Sequence, residues 1–171
     1  MKKLNIGSGQ RPLAKLYNNW VDLDVRETVK MTEKYSYVPD IVADCREIPV
    51  EDGSFDEALA HSILEHFGKR EVQDCLKEWR RILKKEGKMT ISVPDMVKLS
   101  AEIIEKQGNT DRVRQVINLC YGEQDYPENA HKWGFTYDTL KEELERASFY
   151  KIRRLRSERY SSELLIEAYA R

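Results

Sequence analysis

No stretch of the 171-residue chain approaches the roughly 20 consecutive apolar residues that a membrane-spanning helix needs, so no membrane span is expected. Met1-Lys2-Lys3 is followed by only a few apolar residues before Gly-Ser-Gly-Gln-Arg-Pro, too few for the core of a signal peptide. Cysteine is scarce: Cys45, Cys75 and Cys120 are far apart, odd in number, and form no Cys-x-x-Cys. This argues against a disulfide framework and against a metal set, and fits a reducing cytoplasm. An excess of one charge is also lacking. The 29 Lys and Arg against 30 Asp and Glu leave a net charge of −1, so no nucleic-acid partner is expected. Repeats, low-complexity tracts and linkers are absent as well. With 40% hydrophobic and 35% charged residues, what remains is one domain spanning residues 1–171.

Short apolar runs alternate with helical patterns, which predicts an α/β fold with a mostly parallel sheet. Candidate strands are Lys3–Ile6, Trp20–Leu23, Ile41–Ala43, Glu57–Ala60 and Lys88–Val93. The clearest helix is Lys69–Lys85, where Val72, Cys75, Leu76, Trp79, Ile82 and Leu83 recur at helical spacing and Gly87 stands in place to end it. A second helix, Tyr137–Ala147, has Thr136 as N-cap and Leu140, Leu144 and Ala147 on its buried face. The final runs, Phe149–Leu155 and Glu163–Tyr169, leave no room for a helix between them and should pair antiparallel. Residues 96–132 hold two helical stretches, Val97–Lys106 and Thr110–Cys120, then an irregular loop. This insertion exceeds what a crossover needs and reads as a cap over a ligand site.

The ligand signal lies in Leu4-Asn5-Ile6-Gly7-Ser8-Gly9, a buried strand stopping at two glycines one residue apart. Glycine permits positive φ and close approach of a ligand to the backbone, which suggests a nucleotide-like ligand. A dinucleotide fingerprint needs a third glycine where Pro12 stands and an acid later than Asp22; a phosphate loop needs G-x-x-x-x-G-K-[ST], which is absent.

Several segments in order resemble the class I S-adenosylmethionine-dependent methyltransferases, particularly their small type 11 group. Leu4–Gly9 resembles the first motif, and Val21-Asp22-Leu23 the end of the second strand. Ala43-Asp44-Cys45-Arg46-Glu47-Ile48-Pro49 is similar to the D-x-x-x-L-P turn, and Gly53-Ser54-Phe55-Asp56 to the gsFD strand entry. Leu64-Glu65-His66 matches LEH, Arg80–Met89 is close to R-x-L-K-P-G-G, and Ala147-Ser148-Phe149 resembles AGF. The resemblance runs nearly end to end. It departs at Asn5, which stands for the first-motif acid, at Arg11-Pro12 in place of the third glycine, and in the interval from Gly9 to Asp22, which leaves room for one turn of helix at most.

The resemblance implies a Rossmann-like sheet with an antiparallel last strand, helices on both faces and a helical cap. It implies S-adenosylmethionine as cofactor, held by Asn5, Gly7, Ser8, Gly9, Asp22, Asp44, Cys45 and His61. Asp22 would accept from the ribose diol, with Asp24 a lesser candidate, and Asp44 from the adenine amine. His66 and His131 are the catalytic candidates, as bases for the acceptor's proton; the alternatives are that Glu65 and His66 hold their loop in place and that His131 is structural. Asp95 faces the acceptor or caps the next helix, and Asp56 holds its turn. Lys151, Arg153, Arg154, Arg156 and Arg159 are a solvated face or a site for an anionic acceptor. Tyr121, Tyr126, Trp133 and Phe135 either stack on the acceptor or fill the cap. The implied reaction is O- or N-methylation of a small molecule or glycan, with a homodimer admitted. The alternative is a degenerate member that binds cofactor or partners without catalysis.

Overall fold

The computed structural model describes residues 1–158 and 161–171. Seven strands form the central sheet: β1 (Lys3–Ile6), β2 (Trp20–Asp24), β5 (Ile41–Val42), β6 (Phe55–His61), β7 (Leu83–Pro94), β8 (Phe149–Leu155) and β9 (Glu163–Ala170). They lie in the order β5-β2-β1-β6-β7-β9-β8. The first five in that order run parallel, and β9 is antiparallel to both neighbours, as expected. The chain moves outward from β1 through β2 to β5, then returns to β6 on the other side of β1. That reversal opens a crevice at the carboxyl ends of β1 and β6, where such sheets bind ligands.

Register explains the sheet's two faces. Leu4, Ala58, Met89 and Ala168 form one row across β1, β6, β7 and β9, and Ile6, Ala60, Ile91 and Ile166 another. Both rows are buried in the single core cluster with the apolar stripe of α1 (Val72–Ile82) and with Leu140 and Leu144 of α4 (Tyr137–Arg146). The two helices pack side by side, with Gln73 Nε2 donating to the Glu143 carbonyl at 2.9 Å. Because side chains alternate, the rows between face the other way. That face carries an ion-pair ladder, Glu57 bridging Lys3 at 2.8 Å and Lys88 at 2.7 Å. The helical cover of the sheet is therefore uneven.

Local differences from expectation have physical causes. α1 ends at Ile82, not Lys85, because Leu83 turns extended to pair with Phe55. The register then jumps to the Glu57–Lys88 pair, so Gly87 lies within β7 and does not cap the helix. A Cβ at Gly87 would stand 2.8 Å from the Lys84 carbonyl oxygen, which accounts for the glycine. Thr136 caps α4 in a reciprocal box with Thr139. The insertion forms α2 (Met96–Glu105) and α3 (Thr110–Tyr121), of which only Leu99 and Val116 are buried. Its ends are tied together where the Met96 amide donates to the Phe135 carbonyl at 3.0 Å. A short hairpin, β3 (Val29–Lys30) with β4 (Ser36–Tyr37), had no counterpart in the sequence reading.

Candidate functional site

A cavity of about 750 Å³ opens at the crevice. Gly7, Ser8 and Gly9 form its floor, Asp24 and Asp44-Cys45 one flank, and His61, His66 and His131 the other. Gly7 and Gly9 both adopt positive φ, at 62° and 49°. Gly7 has a second reason: a Cβ there would lie 2.6 Å from Ile63 Cδ1. Tyr37 fixes the loop, its hydroxyl hydrogen-bonded with Ser8 Oγ at 2.5 Å and donating to the Gly9 carbonyl at 2.9 Å.

Two of the expected cofactor residues do not reach the cavity. Asp22 is 1% exposed, and its carboxylate accepts from Asn5 Nδ2 at 2.8 Å and from the amides of Leu13 and Ala14 at 2.9 and 3.0 Å. It caps the single turn that stands in for a first crossover helix and is not among the residues that line the cavity. Asn5, within β1, spends its other amide hydrogen on the Arg11 carbonyl at 2.9 Å, tying the loop after the glycines back to the strand. They pair in register, Asn5 one residue and Asp22 two residues before their strands end, below the floor of the crevice.

Asp24 takes the place on the cavity wall that Asp22 lacks. It accepts from the Gly9 amide at 2.9 Å, from the Arg26 amide at 3.1 Å, and from Arg26 Nε and Nη2 at 2.9 and 3.0 Å. Burial works to raise its pKa, but Arg26 and the two amides outweigh that and hold it below the ordinary carboxylate value. Asp44 repeats the arrangement two residues before Arg46, whose guanidinium keeps its carboxyl ionised against burial. Behind it, Trp79 Nε1 donates to the Cys45 carbonyl at 3.0 Å, tying α1 to the cavity wall.

The opposite end is rich in histidine. His61 stands between Ser62 Oγ at 3.0 Å from its Nδ1 and Glu163 Oε1 at 3.1 Å from its Nε2. His66 and His131 meet edge to face with ring centroids 4.9 Å apart. Burial pushes both their pKa values down, and for His131 the neighbouring His66 adds to it, so both rings are neutral at pH 7. They meet because the 3₁₀ turn Leu64–His66 is stitched to the end of the insertion: the Glu65 carbonyl accepts from the amides of Lys132 at 2.8 Å and Trp133 at 3.2 Å. Glu65 itself is wholly buried, which drives its carboxyl pKa up to about 8, Glu163 contributing.

The remaining candidates disperse. Asp95 caps α2 and pairs with Arg154, away from the cavity wall. Asp56 is held by Lys84 at 2.8 Å and the Lys2 amide at 2.6 Å. Arg153 pairs with Glu167 at 2.7 Å and Lys151 with Glu86 at 3.6 Å, so these cations are balanced locally; Arg159 lies outside the described residues. Of the aromatics, Tyr126 reaches the cavity, Phe135 is buried in the core, and Tyr121 and Trp133 are exposed at 61% and 39%. Arg26, Tyr37, Phe67 and Lys132 are site residues the sequence reading passed over.

Comparison with known proteins agrees with this layout. The chain is 29% identical over 117 residues to an uncharacterized protein of Methanocaldococcus jannaschii, a match covering 68% of this chain and 56% of that protein, so the chain spans about half the length of its curated relative. A SAM-dependent methyltransferase from Archaeoglobus fulgidus superposes with a TM-score of 0.66 at 16% identity, over 98% of this chain and 85% of its own. Human N-acetylserotonin methyltransferase, solved with SAM, gives 0.66 at 16% identity over 98% of this chain and 47% of its own. The methyltransferase-domain family matches residues 4–91, from the strand before the glycine loop to the middle of β7. The chain belongs to that family, the type 11 group of class I S-adenosylmethionine-dependent methyltransferases.

Proposed function

We propose that the cavity binds S-adenosylmethionine across Gly7–Gly9, with Asp24 toward the ribose and Asp44-Cys45 toward the adenine, and that it methylates a small-molecule or glycan acceptor at oxygen or nitrogen. The carrying observation is the polarity of this one cavity: glycine backbone and two strand-end carboxylates at one side, neutral imidazoles at the other. The donor set fits the cofactor, since a vicinal diol and an exocyclic amine donate hydrogen bonds that carboxylates accept. When bound, the cofactor would supply an electrophilic methyl group on sulfonium, the acceptor–methyl bond forming in line as the sulfur–methyl bond breaks and the neutral thioether leaves. The chain's part is positioning and proton handling. Asp24 is already fully bonded, so to hold the diol it would exchange the two bonds now made by the half-exposed Arg26 side chain. His66 and His131, neutral and facing the cavity, can receive the proton that an acceptor hydroxyl or ammonium loses.

Calorimetric titration with S-adenosylmethionine, S-adenosylhomocysteine and NAD tests this. Both methionine ligands should bind and NAD should not; silence with both at millimolar concentration rejects the reading in favour of a non-catalytic fold relative. Asp24→Ala should weaken S-adenosylhomocysteine at least ~10-fold, the value of one charge-assisted hydrogen bond. Unchanged affinity would remove Asp24 from the site.

A further inference from the structure

One cluster at the acceptor end has more chemistry than proton transfer uses. Glu65, His66 and His131 each present a ligand atom, and the three atoms lie within 4.8 Å of one another. Both Glu65 carboxyl oxygens and His131 Nδ1 are buried without a hydrogen-bond partner among the described residues. Glu65 is 1% exposed, and an unpaired buried carboxyl is among the most costly groups a core can hold. Protonation removes the charge but still leaves a hydroxyl and a carbonyl unpaired, so it does not account for the arrangement. The neighbouring carboxylate, Glu163, is engaged elsewhere, by Ser92 and by Ser157.

The imidazoles are set up as ligands set up by a protein usually are. A carbonyl oxygen can only accept, so the contact of His66 Nδ1 with the Ala130 carbonyl at 3.2 Å places the hydrogen on Nδ1 and the lone pair on Nε2. In His131, Nδ1 is the atom left without a partner. Burial keeps both rings in the neutral form that binds metal.

We propose that Glu65, His66 and His131 form a site for a divalent transition metal of the zinc or cobalt class. Two imidazoles and one carboxylate match the three-ligand sets of open zinc sites, and both imidazoles line the cavity. Imidazole donors select such ions over Mg²⁺ and Ca²⁺, which prefer all-oxygen shells. Ligands at about 2.1 Å from a tetrahedral ion stand roughly 3.4 Å apart, so loading draws the three side chains together by about an ångström. The expectation of no metal set, drawn from cysteine spacing, did not consider this combination. The ion's use rests on the methyltransferase reading: at the open position it would polarise an acceptor hydroxyl and ease loss of its proton to solvent. In metal-free protein the imidazoles remain free to take that proton.

The test is titration of chelator-stripped protein with Co²⁺, Zn²⁺ and Mg²⁺. Co²⁺ should give visible d–d absorption saturating at one ion per chain, and Zn²⁺ should displace it and raise the Tm; Mg²⁺ should do neither. Glu65→Gln keeps the shape of the side chain and should weaken Co²⁺ more than ~100-fold, with circular dichroism confirming that the variant folds. Should it not fold, His131→Asn, at a half-buried position, carries the same comparison. No saturable spectrum, affinity unchanged in both variants, or an equal response to Mg²⁺ would overturn the site. S-adenosylhomocysteine is titrated into the same samples. Its binding without Co²⁺ binding sinks the metal site alone, and the converse sinks the cofactor reading alone.

Discussion

Asn5 and Asp22 face each other across β1 and β2, joined by a buried 2.8 Å amide–carboxylate bond. The pair gives a physical reason for the missing first-motif acid: a carboxylate at position 5 would meet the carboxylate of Asp22. Asn5→Asp should therefore destabilise the chain by on the order of 3 kcal/mol at pH 7, read as a lowered urea midpoint. The facing carboxyls of the variant must share a proton on folding, so the loss should shrink as the pH falls; a pH-independent loss would point to packing instead. The same pair shows why the acid that lines the cavity was not legible in the sequence. Asp22 and Asp24 point the same way along β2, and the sequence motif alone does not separate them. Only the register does, since Ile6 pairs with Leu23 and so sets Asp24 level with Gly7. The grouping of Glu65 and His66 with His131 was illegible for a related reason, being made by backbone hydrogen bonds between segments remote in sequence.

At the level of elements, local signals were readable and non-local ones were not. The α4 stripe and its Thr136 cap are written within a dozen residues. The mostly parallel sheet and its antiparallel end followed from the spacing of apolar runs, whereas the strand order did not. The two-residue strands β3 and β4 carry no periodicity, and the end of α1 was decided by a cross-sheet pair, Phe55 with Leu83. The α2–α3 hairpin was expected as a cap, and its burial predicts how it behaves. With only Leu99 and Val116 buried, it has far less apolar contact than α1, which buries five side chains. Amide hydrogens of α2 and α3 should exchange by local opening well before those of α1 and β7. Equal protection in the free protein would mean that the hairpin is part of the core's cooperative unit.

Over the whole molecule, acid sensitivity follows from carboxyls held in ionised form. Asp24 and Glu57 resist burial through Arg26 and through Lys3 and Lys88, Asp44 is held by Arg46, and Glu78 by Arg81 against burial. Each titrates below its ordinary value of 3.8 for Asp or 4.5 for Glu. Their contribution is thus complete above those values and is lost as the pH falls through the lower folded ones. The contribution of these pairs to the Tm should stay constant from neutral pH to about 5 and collapse below about 4. A Tm unchanged at pH 3 would show that these pairs add nothing to folding. Partial exposure and salt screening keep each contribution small, so the effect is collective.

The bond from Trp79 to the Cys45 carbonyl has a use beyond holding α1 to the cavity wall. It places a solvent-shielded indole directly behind the Asp44–Cys45 turn, whereas Trp133 is 39% exposed and Trp20 is half-buried. Iodide should quench emission from the latter two and spare Trp79, leaving a blue-shifted component. Any ligand that settles against Cys45 perturbs the carbonyl to which that indole donates. Occupancy of the site can then be followed by fluorescence in the unlabelled chain, and Trp79→Phe should abolish the signal.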